Sequence, residues 1–475
     1  MLQSLRAVEM SLKDVNAFYT HQRDNHLIIQ GDEEQSVRLY LQSFFSTIQA
    51  LPTPRCIDLL RIAVAIFGVD RIVKRRGYCR AGNPNGVRTL NLTIEVEDVE
   101  FWRKVHPREL IEEILTFLTD ENWIIEFTAL EKSQLSTCYQ AFLDLPDDIV
   151  PNRAALYSGG LDSAAGLANQ LIKQQGEYLL ITVGHHPGLR KRVNRQISGL
   201  AELLGKHTPQ QAILVTHLRG GAAKRLDMQE TSQRSRAFLF CTTAAIAANA
   251  FGIKSIDVFE NGAGAINFPL TSEMLNSGLA TRGAHPAFLT LMSELVTLVT
   301  ESNLTFELPF YDRTKGELLS PLKYHGLDAW LQSSSSCIHT SLRAIGRRHC
   351  GVCPACIERR QAFLVAGITE NISDYKEDIF SGGKDWYLEN EYFRIFQEEA
   401  NAWLRKEPHT LQRMYNHLRI TEIPETEDER IYRLQDRHAE EVSKVFSKRV
   451  YASDYSNLRS YLIHDLQHSE KEVSV

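Results

Sequence analysis

The sequence predicts an α/β protein whose core is a doubly wound parallel sheet. Two observations carry this. From Pro151 onward, short apolar runs alternate with helical stretches, the pattern of successive βα units. The first run leads straight into a glycine-rich turn that opens a helix, Ser158-Gly159-Gly160-Leu161-Asp162-Ser163. Composition agrees: 43% apolar and 24% charged residues in a chain of 475 are globular averages, and the length allows two or three domains.

Residues 1–150 read as a small N-terminal α+β domain. Its helical patterns cover Cys56-to-Val73 and Arg108-to-Leu118, and its strands Leu90-to-Val96 and Trp123-to-Thr128. The acids Glu95, Glu97, Asp98 and Glu100 have no spacing that demands chemistry and read as a solvated edge. Residues 151–370 form the predicted core. Strands are expected over Arg153-to-Tyr157, Tyr178-to-Val183, Ala212-to-Thr216 and Ser255-to-Glu260, and helices over Ala164-to-Lys173, Arg192-to-Leu204 and Arg234-to-Phe251. Residues 371–475 read as a helical extension, as in Glu389-to-Arg405 and Glu427-to-Ser447. Its interspersed charges suggest a solvated face, with partner binding as the alternative.

A net charge of −6 gives no global basic field, so nucleic acid is not an expected partner, although Arg190-Lys191-Arg192 forms a local stripe that could bind phosphates. The sequence begins without a basic and apolar leader, and no run approaches the roughly 18 apolar residues of a membrane span. A cytoplasmic location is expected, with no membrane contact. Of eight cysteines, Cys56, Cys79, Cys138 and Cys241 are scattered while Cys337, Cys350, Cys353 and Cys356 cluster. That layout suggests a metal in place of a disulfide framework.

The Ser158-to-Ser163 turn aims backbone N–H groups and a positive helix end at one point, the requirement for binding an anion. Gly159 and Gly160 allow close approach, and Ser158 and Ser163 offer hydroxyls. Asp162 alone would repel phosphate, so it implies Mg²⁺ bridging carboxylate and pyrophosphate. A chance match is on the order of one in a thousand at average composition. The loop lacks the lysine of the G-x-x-x-x-G-K-[ST] motif, so pyrophosphate release fits better than γ-phosphate transfer. The four clustered thiols suit tetrahedral Zn²⁺ with no open position; an iron–sulfur cluster and free thiols are the rivals. Arg347, Arg348, Arg359 and Arg360 stand near enough in sequence to offset the thiolate charge.

At the loop, the chain resembles the PP-loop ATP pyrophosphatases, which activate an oxygen as its AMP ester. With Ser336-Cys337, Cys350-Gly-x-Cys353-x-x-Cys356 and Arg359, residues 153 to about 368 resemble the QueC family of 7-cyano-7-deazaguanine synthases. Ser235-Arg236-Ala237-Phe238 and Pro309-to-Glu317 extend the likeness. The resemblance implies that ATP adenylates a 7-deazaguanine carboxylate, which is then aminated. It further implies that Ser158, Gly159, Gly160, Leu161, Asp162 and Ser163 hold pyrophosphate and Mg²⁺. Asp162, Lys315 and Arg236 become the candidate catalytic residues, Lys315 neutralising charge on the departing phosphates. Glu260, Asn261 and Gly262 follow a predicted strand and are candidates for binding the base. His185-His186 end another strand and could reach substrate or stand as solvated turn residues.

The chain also departs from that family. Twelve residues separate Cys337 from Cys350, a longer gap than the family's, and Asn267-Phe-Pro-Leu-Thr replaces its aspartate-rich tyrosine segment. Together with the terminal extensions, this looks like the QueC-like proteins of bacterial anti-phage systems, QatC and the type IV CBASS relatives. For that branch the resemblance implies transfer of the activated deazaguanine to an amine on a partner protein from the same operon. The ordinary synthase using ammonia, and a nucleotide-binding scaffold without turnover, are the competing readings. The acceptor amine and the oligomeric state are not legible in the sequence.

Overall fold

The structure, a computed structural model, describes residues 15–23, 26–30, 35–48, 52–73, 87–130, 150–173, 176–184, 188–220, 230, 234–269, 281–338, 349–378 and 391–446. The N-terminal elements are β1 (Val15–Arg23), β2 (His26–Gln30), β3 (Gln35–Leu39), α1 (Leu41–Ile48), α2 (Pro54–Ile72), β4 (Thr89–Val96), α3 (Val99–Trp102), α4 (Val105–Thr119) and β5 (Asn122–Ala129). The core then runs β6 (Arg153–Leu156), α5 (Leu161–Ile172), β7 (Tyr178–Gly184), α6 (Gly188–Leu204), β8 (Gln210–Gly220), α7 (Arg236–Ala250), β9 (Ser255–Val258), α8 (Gly262–Ile266), α9 (Pro286–Thr300), β10 (Thr305–Glu307), α10 (Lys315–Leu319), α11 (Asp328–Gln332) and α12 (Pro354–Ala366). Helices α13 (Glu391–Leu404), α14 (Pro408–Ile420) and α15 (Asp428–Phe446) follow.

The predicted α/β class is borne out. Strands β10, β9, β6, β7 and β8 pair in parallel, and their apolar sequences fit burial on both faces: Tyr178, Leu179, Leu180 and Ile181 of β7 are all buried. The sheet, however, does not stop at the edge of the predicted core. Its ten strands run β10-β9-β6-β7-β8-β3-β2-β1-β4-β5. Strand β8 makes the join: Gln210 to Val215 pair with β7, and Thr216 to Gly220 pair antiparallel with β3. The sequence reading missed β1 to β3, whose mixed polar and apolar residues form an antiparallel meander.

Helix α2 binds the N-terminal segment to the core. Thr53 caps it by accepting the Cys56 amide at 3.3 Å, and Pro54 fits its first turn. It is buried on all sides from Leu59 to Asp70, as expected for a helix enclosed between other layers. Its buried Asp70 accepts from Ser235 N at 3.2 Å and Ser235 Oγ at 2.8 Å, and pairs with Arg88 at 2.5 Å. The N-terminal segment thus fixes the start of α7, and with it the position of Arg236.

Residues 391–446, the described helices of the C-terminal extension, are helical as expected, but the solvated-face reading fails for α15. Ile431, Leu434, Ala439, Val442, Val445 and Phe446 form a buried stripe, and most of them join one cluster with Ile266 of α8 and Ile357 of α12. Each large aliphatic side chain buried this way contributes about 1.5–3 kcal/mol, so α15 is a wall of the molecule. Among the described residues, no helix is long and apolar enough to cross a membrane.

Candidate active site

The order of the core strands places the site. From β6 the chain proceeds to β7 and β8 on one side, then returns to β9 on the other side of β6. At such a reversal the loops leaving the two strands diverge and open a crevice at their carboxyl ends. The loop after β6 is Ser158-to-Ser163, and the loop after β9 is Glu260-Asn261. Two segments picked out separately in the sequence therefore face one crevice.

The first loop has the geometry of an anion cradle. Gly159 sits at φ +72°, a left-handed conformation that disfavours any side chain. Gly160 is the N-cap of α5 and brings no side chain to the helix end, which leaves first-turn amides for a ligand. Ser158 Oγ accepts from Gly160 N at 3.1 Å and lies 3.1 Å from Ser163 Oγ. Ser163 Oγ in turn donates to Gly160 O at 3.1 Å. Beneath Gly159 lies the Gln196 side chain, whose buried Nε2 has no hydrogen-bond partner among the described residues. Nothing in the sequence signalled Gln196.

Asp162 is the centre of a charged cluster. Asn261 Nδ2 donates to Asp162 Oδ1 at 3.0 Å and to Glu260 Oε1 at 2.8 Å, while its Oδ1 caps α8 through the Gly264 amide at 3.0 Å. Lys315 Nζ lies 3.2 Å from Asp162 Oδ2 and 3.1 Å from Glu358 Oε2. Burial alone would lower the lysine's pKa, but Asp162, Glu358 and Glu260 outweigh it and hold it above the usual lysine range. Burial, with the Asp162 charge beside it, pushes Glu260 up to about 8 against the opposing pull of Lys315. Lys315 begins α10 through a capping box, Thr314 and Glu317 exchanging side-chain and backbone hydrogen bonds. The Thr-Lys-x-Glu pattern thus builds the helix start that presents the lysine. Glu358, on α12, was not picked out from the sequence.

Ser158, Gly160, Asp162, Ser163, Arg236 and Glu260 line one cleft with about 280 Å³ of interior space. Arg236 is exposed on its wall, with its guanidinium 5.4 Å from the Phe240 ring. Gly262 does not line the cleft. A Cβ there would fall 1.9 Å from the Tyr311 carbonyl oxygen and 2.6 Å from Leu434 of α15, so this glycine serves close packing within the protein. His185, His186, Arg347 and Arg348 lie outside the described residues.

The four clustered cysteines converge. The sulfurs of Cys337, Cys350, Cys353 and Cys356 all lie within 4.8 Å of one another, and all four residues are buried. Backbone amides of Cys350 and Cys353 donate to Cys337 Sγ and Cys350 Sγ at 3.3 Å each, an arrangement that favours thiolates. Cys353 is the N-cap of α12, so a positive helix end faces the sulfurs. This donor set fits zinc, which would be held by all four thiolates in a closed structural site. Arg359 and Arg360 also have acidic partners of their own, Glu370 and Asp378, which fold back from beyond α12. Arg359 also donates to Ser334 Oγ at 2.8 Å, and the next residue, Ser335, donates its amide to Gly159 O at 3.1 Å. The cysteine element and the anion loop are therefore joined by the consecutive serines Ser334, Ser335 and Ser336.

Comparison with known proteins bears on this arrangement. Residues 153–367 match the family described as queuosine biosynthesis protein QueC. This segment is QueC-like. The QueC-like segment holds the anion loop, Arg236, Asn261, Lys315 and all four cysteines, and covers under half of the chain. The 7-cyano-7-deazaguanine synthase of Acinetobacter baylyi is 25% identical over 236 residues, spanning 46% of this chain and 93% of that protein. Helices α13 to α15 lie beyond the QueC-like segment.

One contact between that segment and α15 has a pH signature. Glu441 accepts from Thr314 Oγ1 and from Gln361 Nε2, and burial is the main cause that pushes its carboxyl up to about 7. A folded protein that holds this proton more tightly than the unfolded chain is stabilised below the unfolded value of about 4.3, and loses that contribution as pH rises through the folded pKa. Glu441→Gln should flatten the fall in melting temperature between about pH 4.3 and pH 7, the window set by those two values. Parallel thermal melts of variant and parent check this; identical pH slopes would remove Glu441 from the account.

Proposed function

We propose that the chain uses ATP to adenylate a 7-deazaguanine carboxylate and then forms an amide with an amine, most directly one on a partner protein. The observation that carries this reading is the shared cleft: the Ser158-to-Ser163 loop, Arg236 and Glu260 line it, with Lys315 held against Asp162. The loop amides and the Ser158 and Ser163 hydroxyls bind the pyrophosphate portion of ATP. Asp162 would hold Mg²⁺, which when bound supplies positive charge to the phosphates. Lys315 adds a fixed cation where negative charge develops on the leaving pyrophosphate. Asn261 keeps Asp162 oriented, and Glu260, carrying a proton near neutral pH, offers a donor to the base. The QueC-like segment supports the substrate class.

The partner-protein acceptor and a role in anti-phage defence are supported by the segments on either side of the QueC-like segment, which ammonia as sole acceptor would not call for. Incubation with ATP, Mg²⁺, 7-carboxy-7-deazaguanine and the proteins encoded beside it, followed by intact mass measurement, tests this. A partner heavier by one deazaguanine acyl group is the expected result. Unmodified partners and released nitrile would instead establish the second reading, a 7-cyano-7-deazaguanine synthase, which the Acinetobacter relative favours.

A further inference from the structure

Behind the Asp162 cluster lies a second, smaller chamber of about 60 Å³. Lys315, Glu358 and Asn261 line it together with Asn267, Gln361, Gln435 and His438, and Gly264 lines both this chamber and the cleft. Gln435 and His438 belong to α15, outside the QueC-like segment. Its size suits a group of a few heavy atoms, since a water molecule takes about 30 Å³ in the liquid. Its polar lining is rich in acceptors: a carboxylate and amide oxygens suit a primary ammonium group. Lys315, the one lysine or arginine on the wall among the described residues, is already bound between Asp162 and Glu358.

We infer that this chamber receives the attacking amine, with His438 taking the proton that the nitrogen loses as it bonds to the acyl carbon. The inference rests on the proposed amide-forming reaction and adds to it the site of the nucleophile. Two observations support His438. Its Nδ1 is buried and has no hydrogen-bond partner among the described residues, an unfavourable state that a bound group would relieve. Burial keeps the imidazole below the usual histidine pKa and so neutral at physiological pH; Glu358 of α12 opposes this and Lys315 of α10 reinforces it. Glu441 stands one turn along α15, bound to Thr314 and Gln361.

The step balances. An ammonium group releases one proton to solvent, and the free amine attacks the acyl carbon of the adenylate while His438 takes a second proton from the nitrogen. A C–N bond forms and the C–O bond to AMP breaks, AMP leaving with the bonding pair. His438 then returns its proton to solvent, leaving an amide.

The test uses the full chain and the variants His438→Phe and Gln435→Leu, with ammonium chloride and butylamine as the probes. Ammonium yields the free amide and butylamine the N-butyl amide, so the arms separate ammonia from the end of an aminoalkyl chain. In both variants the half-saturating amine concentration should rise at least about tenfold, the 1.4 kcal/mol equivalent of one lost contact, with loss of adenylation by pyrophosphate exchange much smaller. A binding readout needs no turnover: ammonium, unlike tetramethylammonium at equal ionic strength, should raise the melting temperature of the parent chain and not of the variants. Unchanged amine dependence in both variants, or no ammonium-specific protection of the parent, overturns the inference. Ammonium protection in a chain that never exchanges pyrophosphate would instead overturn the proposed reaction and leave the amine chamber standing.

Discussion

Replacing Lys315 by methionine should reduce adenylation about 100- to 1,000-fold, the range for removing one fixed group that stabilises transition-state charge. The loss should appear in kcat more than in KM for ATP, because charge on the leaving pyrophosphate grows as the bond breaks. A second consequence follows from the ground state. Lys315 lies between Asp162 and Glu358, with Glu260 close enough to raise its pKa. Removing one partner of a buried pair costs about 3–5 kcal/mol, although protonation of Glu260 would offset part of that. Lys315→Arg should keep stability and recover only part of the rate, since a planar guanidinium cannot occupy the same point. Pyrophosphate exchange and melting curves measured on the same samples check both effects. A methionine variant with parental exchange would remove Lys315 from the chemistry.

Cys356→Ser should release the metal and weaken ATP binding at the same time. Cys356 is fully buried among the other three sulfurs, and a tetrahedral thiolate site that loses one ligand holds zinc poorly. The effect on ATP follows from the route Cys337, Ser336, Ser335, Gly159. Ser335 N bonds the Gly159 carbonyl, and Arg359 anchors Ser334. Loosening that support should raise KM for ATP on the order of tenfold, the lower end of what lost supporting contacts cost at metal sites. Metal analysis and ATP titration check it. Unaltered zinc content would contradict the four-thiolate site, and an iron–sulfur absorption spectrum in the parent would assign the cluster to iron.

What the sequence made legible was local. The Ser158-to-Ser163 loop could be read because a phosphate cradle needs its glycines and hydroxyls adjacent in the chain, and Cys350-to-Cys356 because a chelating turn needs short spacing. The βα alternation was readable for the same reason, since each unit carries its own apolar run. Glu358 and His438 reach the site only through the packing of α12 and α15, and no spacing in the sequence links either to Asp162. Arg359 and Arg360 show the same limit. Nearness to the cysteines suggested charge compensation but gave no sign of Glu370 and Asp378, which bind them after the chain folds back. The ten-stranded sheet was hidden because β8 changes partner midway, from β7 to β3, and an apolar run says nothing about which strand lies beside it. The place of Gly262 after a strand suggested a residue for binding the base, whereas the atom that closes on it is the Tyr311 carbonyl oxygen.

The proposed reaction forms an acyl adenylate of a deazaguanine acid in the crevice at the ends of β6 and β9. Exchange of labelled pyrophosphate into ATP, measured with the full chain, Mg²⁺ and 7-carboxy-7-deazaguanine in the absence of any amine, tests it most directly. Exchange that requires the carboxylate and falls about 100- to 1,000-fold in Lys315→Met is the expected result. Label that never enters ATP, or ATP cleaved to ADP and phosphate, would contradict it.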